Sequence, residues 1–199
     1  VGRFQLVLAA CFALPLAMWD RHKAVDGSEK QKLTDYKTPM GETLRQPRVW
    51  LSALLFFLYV GAEVSLGTWT YSLLTESRGI VPALAGLFAG GYWATFTIGR
   101  VAAGLYAKRA GVKLLVQSGV TVAFLGAVLL VWNPSEAANL IAVALIGFAI
   151  APIFPALMSG TSQRVGAHFA ANTIGMQMAA SGLGSAAIPS LLGILARQT

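Results

Sequence analysis

Tyr59-Val60-Gly61-Ala62-Glu63-Val64-Ser65-Leu66-Gly67-Thr68-Trp69 places one carboxylate, Glu63, in the middle of a run from Val49 to Thr75 that carries no other charge. At about 1.5 Å per residue the run makes a helix roughly 40 Å long, enough to cross a bilayer, with Glu63 about 20 Å along it. A bare carboxylate is costly in hydrocarbon, so Glu63 is expected to face protein or a water-filled cavity. Tyr59, Gly67 and Thr70, one and two turns away, form a polar, small-residue stripe on its face, while Leu54, Leu58 and Leu66 suit lipid or apolar packing on the other side. Two roles fit such a residue: a substrate or coupling-ion site, or a pairing with another helix for assembly alone.

The rest of the composition agrees with a membrane setting. Hydrophobic residues make up 56% of the 199 and charged residues 12%, with a mean hydropathy of +0.64. Soluble domains carry about 25% charged residues. Here the few charges cluster between apolar blocks, which defines a polytopic membrane protein. The net charge of +7 does not indicate nucleic acid, because seven of the fifteen basic residues lie in one stretch, Asp20 to Arg48, interleaved with five acids. The single cysteine, Cys11, sits in an apolar block and allows no disulfide within the chain. The chain opens without Met, two residues before an apolar run, carries no secretory signal and ends directly after another apolar block; it is expected to be a fragment.

Six spans are expected. Phe4 to Trp19, kinked by Pro15, is the first, and Asp20 to Arg48 is a charged linker in which Leu33 to Leu44 offers a weak surface helix. The Glu63 helix is followed by a turn at Glu76 to Gly79, then by a Gly-rich span from Ile80 to Tyr106 with Pro82 in its first turn. A tight basic turn at Ala107 to Gly111 leads to Leu114 to Trp132, and Asn133-Pro134-Ser135 breaks the chain before Ala137 to Ser159. Pro152 and Pro155 should bend that helix and free backbone carbonyls. A polar loop, Thr161 to His168, precedes the last span, Phe169 to Leu195. Lys and Arg decide orientation. The linker, the turn 107–113 and the loop 160–168 hold seven, three and one, against one and none in the turns 76–79 and 133–136, so the first group is expected to be cytoplasmic.

Other polar residues have two readings each. Thr173, Gln177, Ser181 and Gly184 share a helix face, where Gln177 either bonds a hydroxylated ligand or glues helices together. Trp93, Thr97 and Arg100 share another, and Trp93 either stacks on a ring of the solute or fills space. Trp69 suits an interface anchor as well as a ligand contact. His168 has no second ligand nearby, so no metal and no cofactor are expected. No phosphate-binding Gly-Lys-Thr motif, nucleophile elbow or carboxylate pair is present, so an enzyme is not expected.

Gly99-Arg100-Val101-Ala102-Ala103-Gly104-Leu105-Tyr106-Ala107-Lys108-Arg109-Ala110-Gly111-Val112-Lys113 resembles the second copy of the loop signature of the major facilitator superfamily, without the acid usual in the first copy. The Glu63 stretch is similar to the seventh helix of its fucose permease-like branch, Ala151 to Ser159 to the tenth, and Asn172 to Gly184 to the eleventh. The resemblance implies an all-α, polytopic transmembrane helix bundle of the major facilitator type, incomplete, with helices six to eleven present. Its domains would be 1–19, the end of the last first-half helix; 20–48, the cytoplasmic central linker; and 49–199, the second-half bundle lacking its last helix. The function it implies is transport of a small polar solute, a sugar for choice, with a proton or sodium ion, in the plasma (inner) membrane. The partners would be that solute, the ion, the lipid bilayer and the missing first-half helices, with no nucleic acid. Glu63 would be the coupling or hydrogen-bonding acid; Tyr59, Trp93, Asn172 and Gln177 would line the cavity. Gly99, Arg100, Gly104, Lys108 and Arg109 would form the structural or gating loop. Two other functions suit the same sequence: a membrane scaffold or assembly protein, and the permease subunit of an ATP-driven pump.

Overall fold

The computed structural model describes residues 37–197. The expected span from Phe4 to Trp19, Cys11 and most of the linker lie outside them. Every regular element among the described residues is helical. Of the weak helix expected over Leu33 to Leu44, the described residues hold α1 (Met40–Leu44). α2 (Pro47–Ser72) carries Glu63 and starts on a proline, whose missing N–H no first-turn residue needs. A wider π turn, Leu73–Ser77, extends it. The chain then reverses through Gly79, whose φ of 64° suits a residue without Cβ.

α3 (Pro82–Trp132) is two helices joined without a loop: only Gly111, at φ 72° and ψ 161°, departs from helical geometry. The basic turn expected at 107–111 is therefore a single-residue corner between two arms, 82–110 and 112–132. Asn133, left-handed at φ 51°, ends the second arm. Ser135 then caps α4 (Glu136–Ile150) by accepting the Ala138 N–H at 3.2 Å. The two prolines interrupt the next span as expected, separating α4 from α5 (Ile153–Ser159) at Ala151-Pro152. The segment expected as a loop after it is partly helical, as α6 (Thr161–Val165), and α7 (Ala167–Ala196) closes the bundle.

Glycines let the helices meet backbone to backbone. A Cβ on Gly184 of α7 would lie 2.1 Å from the Phe57 carbonyl oxygen of α2. A Cβ on Gly147 of α4 would lie 2.6 Å from the Tyr92 carbonyl oxygen of α3. Between these pairs sits a core that includes Phe56, Tyr92, Phe96, Ile146, Ile153 and Leu157. Replacing Gly184 by Ala should therefore force α2 and α7 apart and cost roughly 1–3 kcal/mol of stability. Gly175→Ala, into open space, should leave thermal unfolding in detergent unchanged, and equal effects of the two would contradict this packing.

Contacts at the helix ends sort the connections as the charge count does. Thr38 donates to the His168 carbonyl at 2.7 Å, and Gly160 abuts Val112, so the segments near residues 38, 112 and 160–168 share one end. Arg78 donates to the Leu130 carbonyl at 2.7 Å and to Asn139 Oδ1 at 3.3 Å, which brings the other two turns together. Four helices among the described residues are long and apolar enough to cross a membrane: Pro47–Ser77, Arg109–Trp132, Glu136–Ser159 and Ala167–Ala196. The arm 82–110 has the length, but its glycines, threonines, Tyr92, Trp93 and Arg100 keep it outside that group.

Candidate functional site

Glu63 lies in the middle of α2 and is 9% exposed. Its Oε1 is 3.8 Å from Arg100 Nη2, an ion-pair distance too long for a hydrogen bond, and its buried Oε2 has no well-formed hydrogen bond, although the Tyr59 hydroxyl one turn away lies close enough to interact with the carboxylate. The Arg100 side chain is 47% exposed, and its guanidinium carbon stands 4.5 Å from the Phe96 ring centre. A pair open to solvent on one side is worth little. Glu63 is thus removed from water without being fully answered by protein, a rare state for a buried polar group.

The first arm of α3 surrounds this carboxylate with aromatic rings. Tyr92 donates to the backbone carbonyl of Glu63 at 2.9 Å, which fixes the two helices in register. Trp93 is 45% exposed and lies across Gly67, where a Cβ would fall 2.4 Å from its Cζ2. Trp93 also meets Tyr92 and Phe96 edge-on, with ring centres 5.1 and 5.7 Å apart. From α2, one turn before Glu63, Tyr59 donates its hydroxyl to the Ile150 carbonyl at 2.7 Å, at the proline break. The structure therefore brings Tyr59, Glu63, Trp93 and Arg100 into one cluster.

Asn172 and Gln177 are elsewhere. The Asn172 amide donates to the Thr38 carbonyl and to Thr43 Oγ1, both at 2.9 Å, tying α7 to the segment before α2. Gln177 has no exposed surface; its amide donates to Ser52 Oγ at 2.6 Å and Thr161 Oγ1 at 3.0 Å. Arg164 joins that network, donating to Thr161 Oγ1 at 3.3 Å and to the Leu157 carbonyl. In the expected gating loop, Gly99 lets α3 approach the Phe148 carbonyl of α4, with a notional Cβ 2.5 Å from its oxygen. Arg100 and Gly104 line a cavity of about 290 Å³ with Pro152, Pro155 and Ser159. Lys108 and Arg109 occupy the last turn before the Gly111 corner. No group of three His, Cys, Asp or Glu able to hold a metal occurs among the described residues.

A family model described as Major Facilitator Superfamily matches residues 4–189. The chain belongs to the major facilitator superfamily. It is an integral, multi-pass membrane protein. This major facilitator chain is 28% identical over 168 residues to Bypass of stop codon protein 6 of Saccharomyces cerevisiae, covering 78% of this chain and 33% of the relative. It is 30% identical over 137 residues to the Nitrite extrusion protein of Bacillus subtilis, covering 67% and 32%. It is 28% identical over 144 residues to the human Sodium-dependent glucose transporter 1, covering 71% and 27%. The chain spans about a third or less of the length of the curated relatives it matches. No solved structure matches it.

Sequence reasoning missed several residues of this major facilitator bundle. Tyr92 was hidden in an aromatic-rich arm, although its position four residues after Phe88 and four before Phe96 puts it on a buried face. Ser52 and Thr161 carried no signal, because their partner Gln177 is far away in sequence. Arg78 looked like an ordinary turn residue. Asn139 did leave a sign: it is the only amide between Ser135 and Ser159, on an otherwise apolar helix.

Proposed function

We propose that this major facilitator chain is the second helical half of a secondary transporter. It moves a small polar solute by alternating access, with Glu63 as the ion-linked group. The observation that carries the reading is Glu63 itself: mid-helix, nearly buried, one oxygen without a well-formed hydrogen bond and the other only loosely paired with a half-exposed Arg100. Such a group can exchange a proton or accept hydrogen bonds from a solute, and exposed Trp93 beside it offers a flat apolar surface for a ring. In this design two helical halves rock about a midplane site. The domains are 1–19 as the end of the preceding half, 20–48 as the linker and 49–199 as the second-half bundle. The glucose transporter among the relatives and the fucose permease-like pattern of the Glu63 stretch favour a sugar. The host is the plasma (inner) membrane, with the linker in the cytoplasm, where the basic residues collect. An enzymatic role has no support in this site.

The test is uptake by the full gene product in proteoliposomes, using labelled D-glucose, L-fucose and nitrite, each with an inward proton or sodium gradient. Saturable uptake of at least one, accelerated by one gradient, is expected. Binding or uptake of none under either gradient would favour a scaffold. Orientation has its own check. Single cysteines replacing Arg109 and Ser135 should react with a membrane-impermeant maleimide from opposite faces, Arg109 from the cytoplasm. Labelling of both from one face would contradict the topology.

A further inference from the structure

The proline break between α4 and α5 leaves backbone carbonyls without their helical donors. Pro152 removes the N–H that would reach Phe148, and Pro155 removes the one that would reach Ala151. The Ile150 carbonyl, at the last turn of α4 and between those two acceptors in sequence, receives the hydroxyl of Tyr59 at 2.7 Å. A tyrosine has one proton to donate. While it bonds Ile150 it can give the carboxylate one turn along α2 only a weak, shared interaction, and buried Glu63 Oε2 has no well-formed hydrogen bond. The phenol therefore stands between two acceptors: a neutral carbonyl beside the proline break and the carboxylate of Glu63.

We infer that Tyr59 is a positioning residue that transmits the ionisation of Glu63 to the α4–α5 break. The inference deepens the proposed function and rests on Glu63 being the ion-linked group. When Glu63 is neutral, its own O–H supplies a donor toward the phenol oxygen, and Tyr59 holds the Ile150 carbonyl. When the Glu63 proton leaves, the anion is the stronger acceptor, because a charge-assisted bond is roughly twice as strong as a neutral one. The hydroxyl then turns to Glu63, and the Ile150 carbonyl loses its hydrogen bond from α2 while the Phe154 ring keeps its contact with Phe56. One proton leaves Glu63 and none leaves Tyr59.

Few other groups enter this balance. Arg100 and Tyr92 face Glu63 from α3, and Tyr92 is already committed to the Glu63 backbone carbonyl. α4, α5 and α7 bring no ionisable side chain to this level, since residues 137–163 and 169–196 contain none. The break is placed to change access, because Pro152, Pro155 and Ser159 line the cavity of about 290 Å³ that Arg100 also borders.

The experiment follows a single cysteine replacing Ser159 in the full gene product without other cysteines. Its maleimide labelling rate is measured between mildly acidic and mildly alkaline buffer, with the proton as the only ligand. The infrared carboxyl band that Glu63→Gln removes is recorded in parallel. In the parent the rate should change by at least about fivefold, the low end of ordinary coupling between sites. Tyr59→Phe should keep the carboxyl band and its titration but flatten the labelling profile. Glu63→Gln should abolish both. Should Tyr59→Phe fail to fold, 3-fluorotyrosine at position 59, a better donor of the same shape, should move the labelling midpoint to lower pH. A flat parent profile, a full pH response in Tyr59→Phe or an unmoved midpoint with the fluorinated residue would overturn the relay and leave the reading of Glu63 intact. A carboxyl band that does not titrate in the parent would instead overturn Glu63 as a proton-linked group.

Discussion

Glu63→Gln is expected to insert and fold like the parent while losing gradient-driven uptake by at least about tenfold, or about 1.4 kcal/mol of coupling. The amide keeps the shape and hydrogen-bonding capacity of the carboxyl and removes its titration. The fold should tolerate the change because Arg100 is 3.8 Å away and its side chain 47% exposed. A pair of that kind contributes about 0–1 kcal/mol, and Arg100 keeps its Phe96 contact. If the pair served assembly alone, removing one buried partner would cost about 3–5 kcal/mol and folded yield would fall with activity. The quantity that separates the two is uptake per monodisperse molecule, measured with and without the gradient. Proton- or sodium-driven uptake that survives in full would remove Glu63 from the coupling mechanism.

Gln177→Leu is expected to do the reverse. The two side chains are close in size, but Leu cannot donate, and Ser52 Oγ and Thr161 Oγ1 would each lose a buried bond to the Gln177 amide. Leaving buried polar atoms unanswered costs about 1–3 kcal/mol each, so thermal unfolding should shift downward by several degrees in a protein of this size. The apparent KM for the transported solute should stay as it was, because Gln177 has no exposed surface. A raised KM with unchanged stability would return Gln177 to the solute pathway, the other role its sequence context allows.

Much of the fold was legible because bilayer physics leaves few options. The uncharged run around Glu63, the prolines at 152 and 155 and the Asn133-Pro134-Ser135 break each became the element that their chemistry requires. The corner at Gly111 was legible only in part: basic residues mark a turn, yet only the backbone shows that one residue makes it. Thr161–Val165 was expected as a loop because five residues are too few to display a helical period. At the site, helical spacing linked Glu63 to Tyr59 within α2 and Trp93 to Arg100 within α3. It could not show that the two faces meet, nor that Tyr59 reaches across to Ile150. Asn172 and Gln177 show the limit from the other side. A polar residue on a small-residue face suits a ligand and a helix contact equally, and the sequence could not show that these two bond Thr38, Thr43, Ser52 and Thr161.

Alternating access to the Glu63 cluster is the central claim, and Thr97 is placed to report it: exposed, one turn from Trp93 and three residues from Arg100. A single cysteine replacing Thr97 in the reconstituted full gene product should react with an impermeant maleimide added to either face. Transported solute should raise the rate from one face and lower it from the other. Reaction from one face only, insensitive to D-glucose, L-fucose, nitrite and pH alike, would contradict the account.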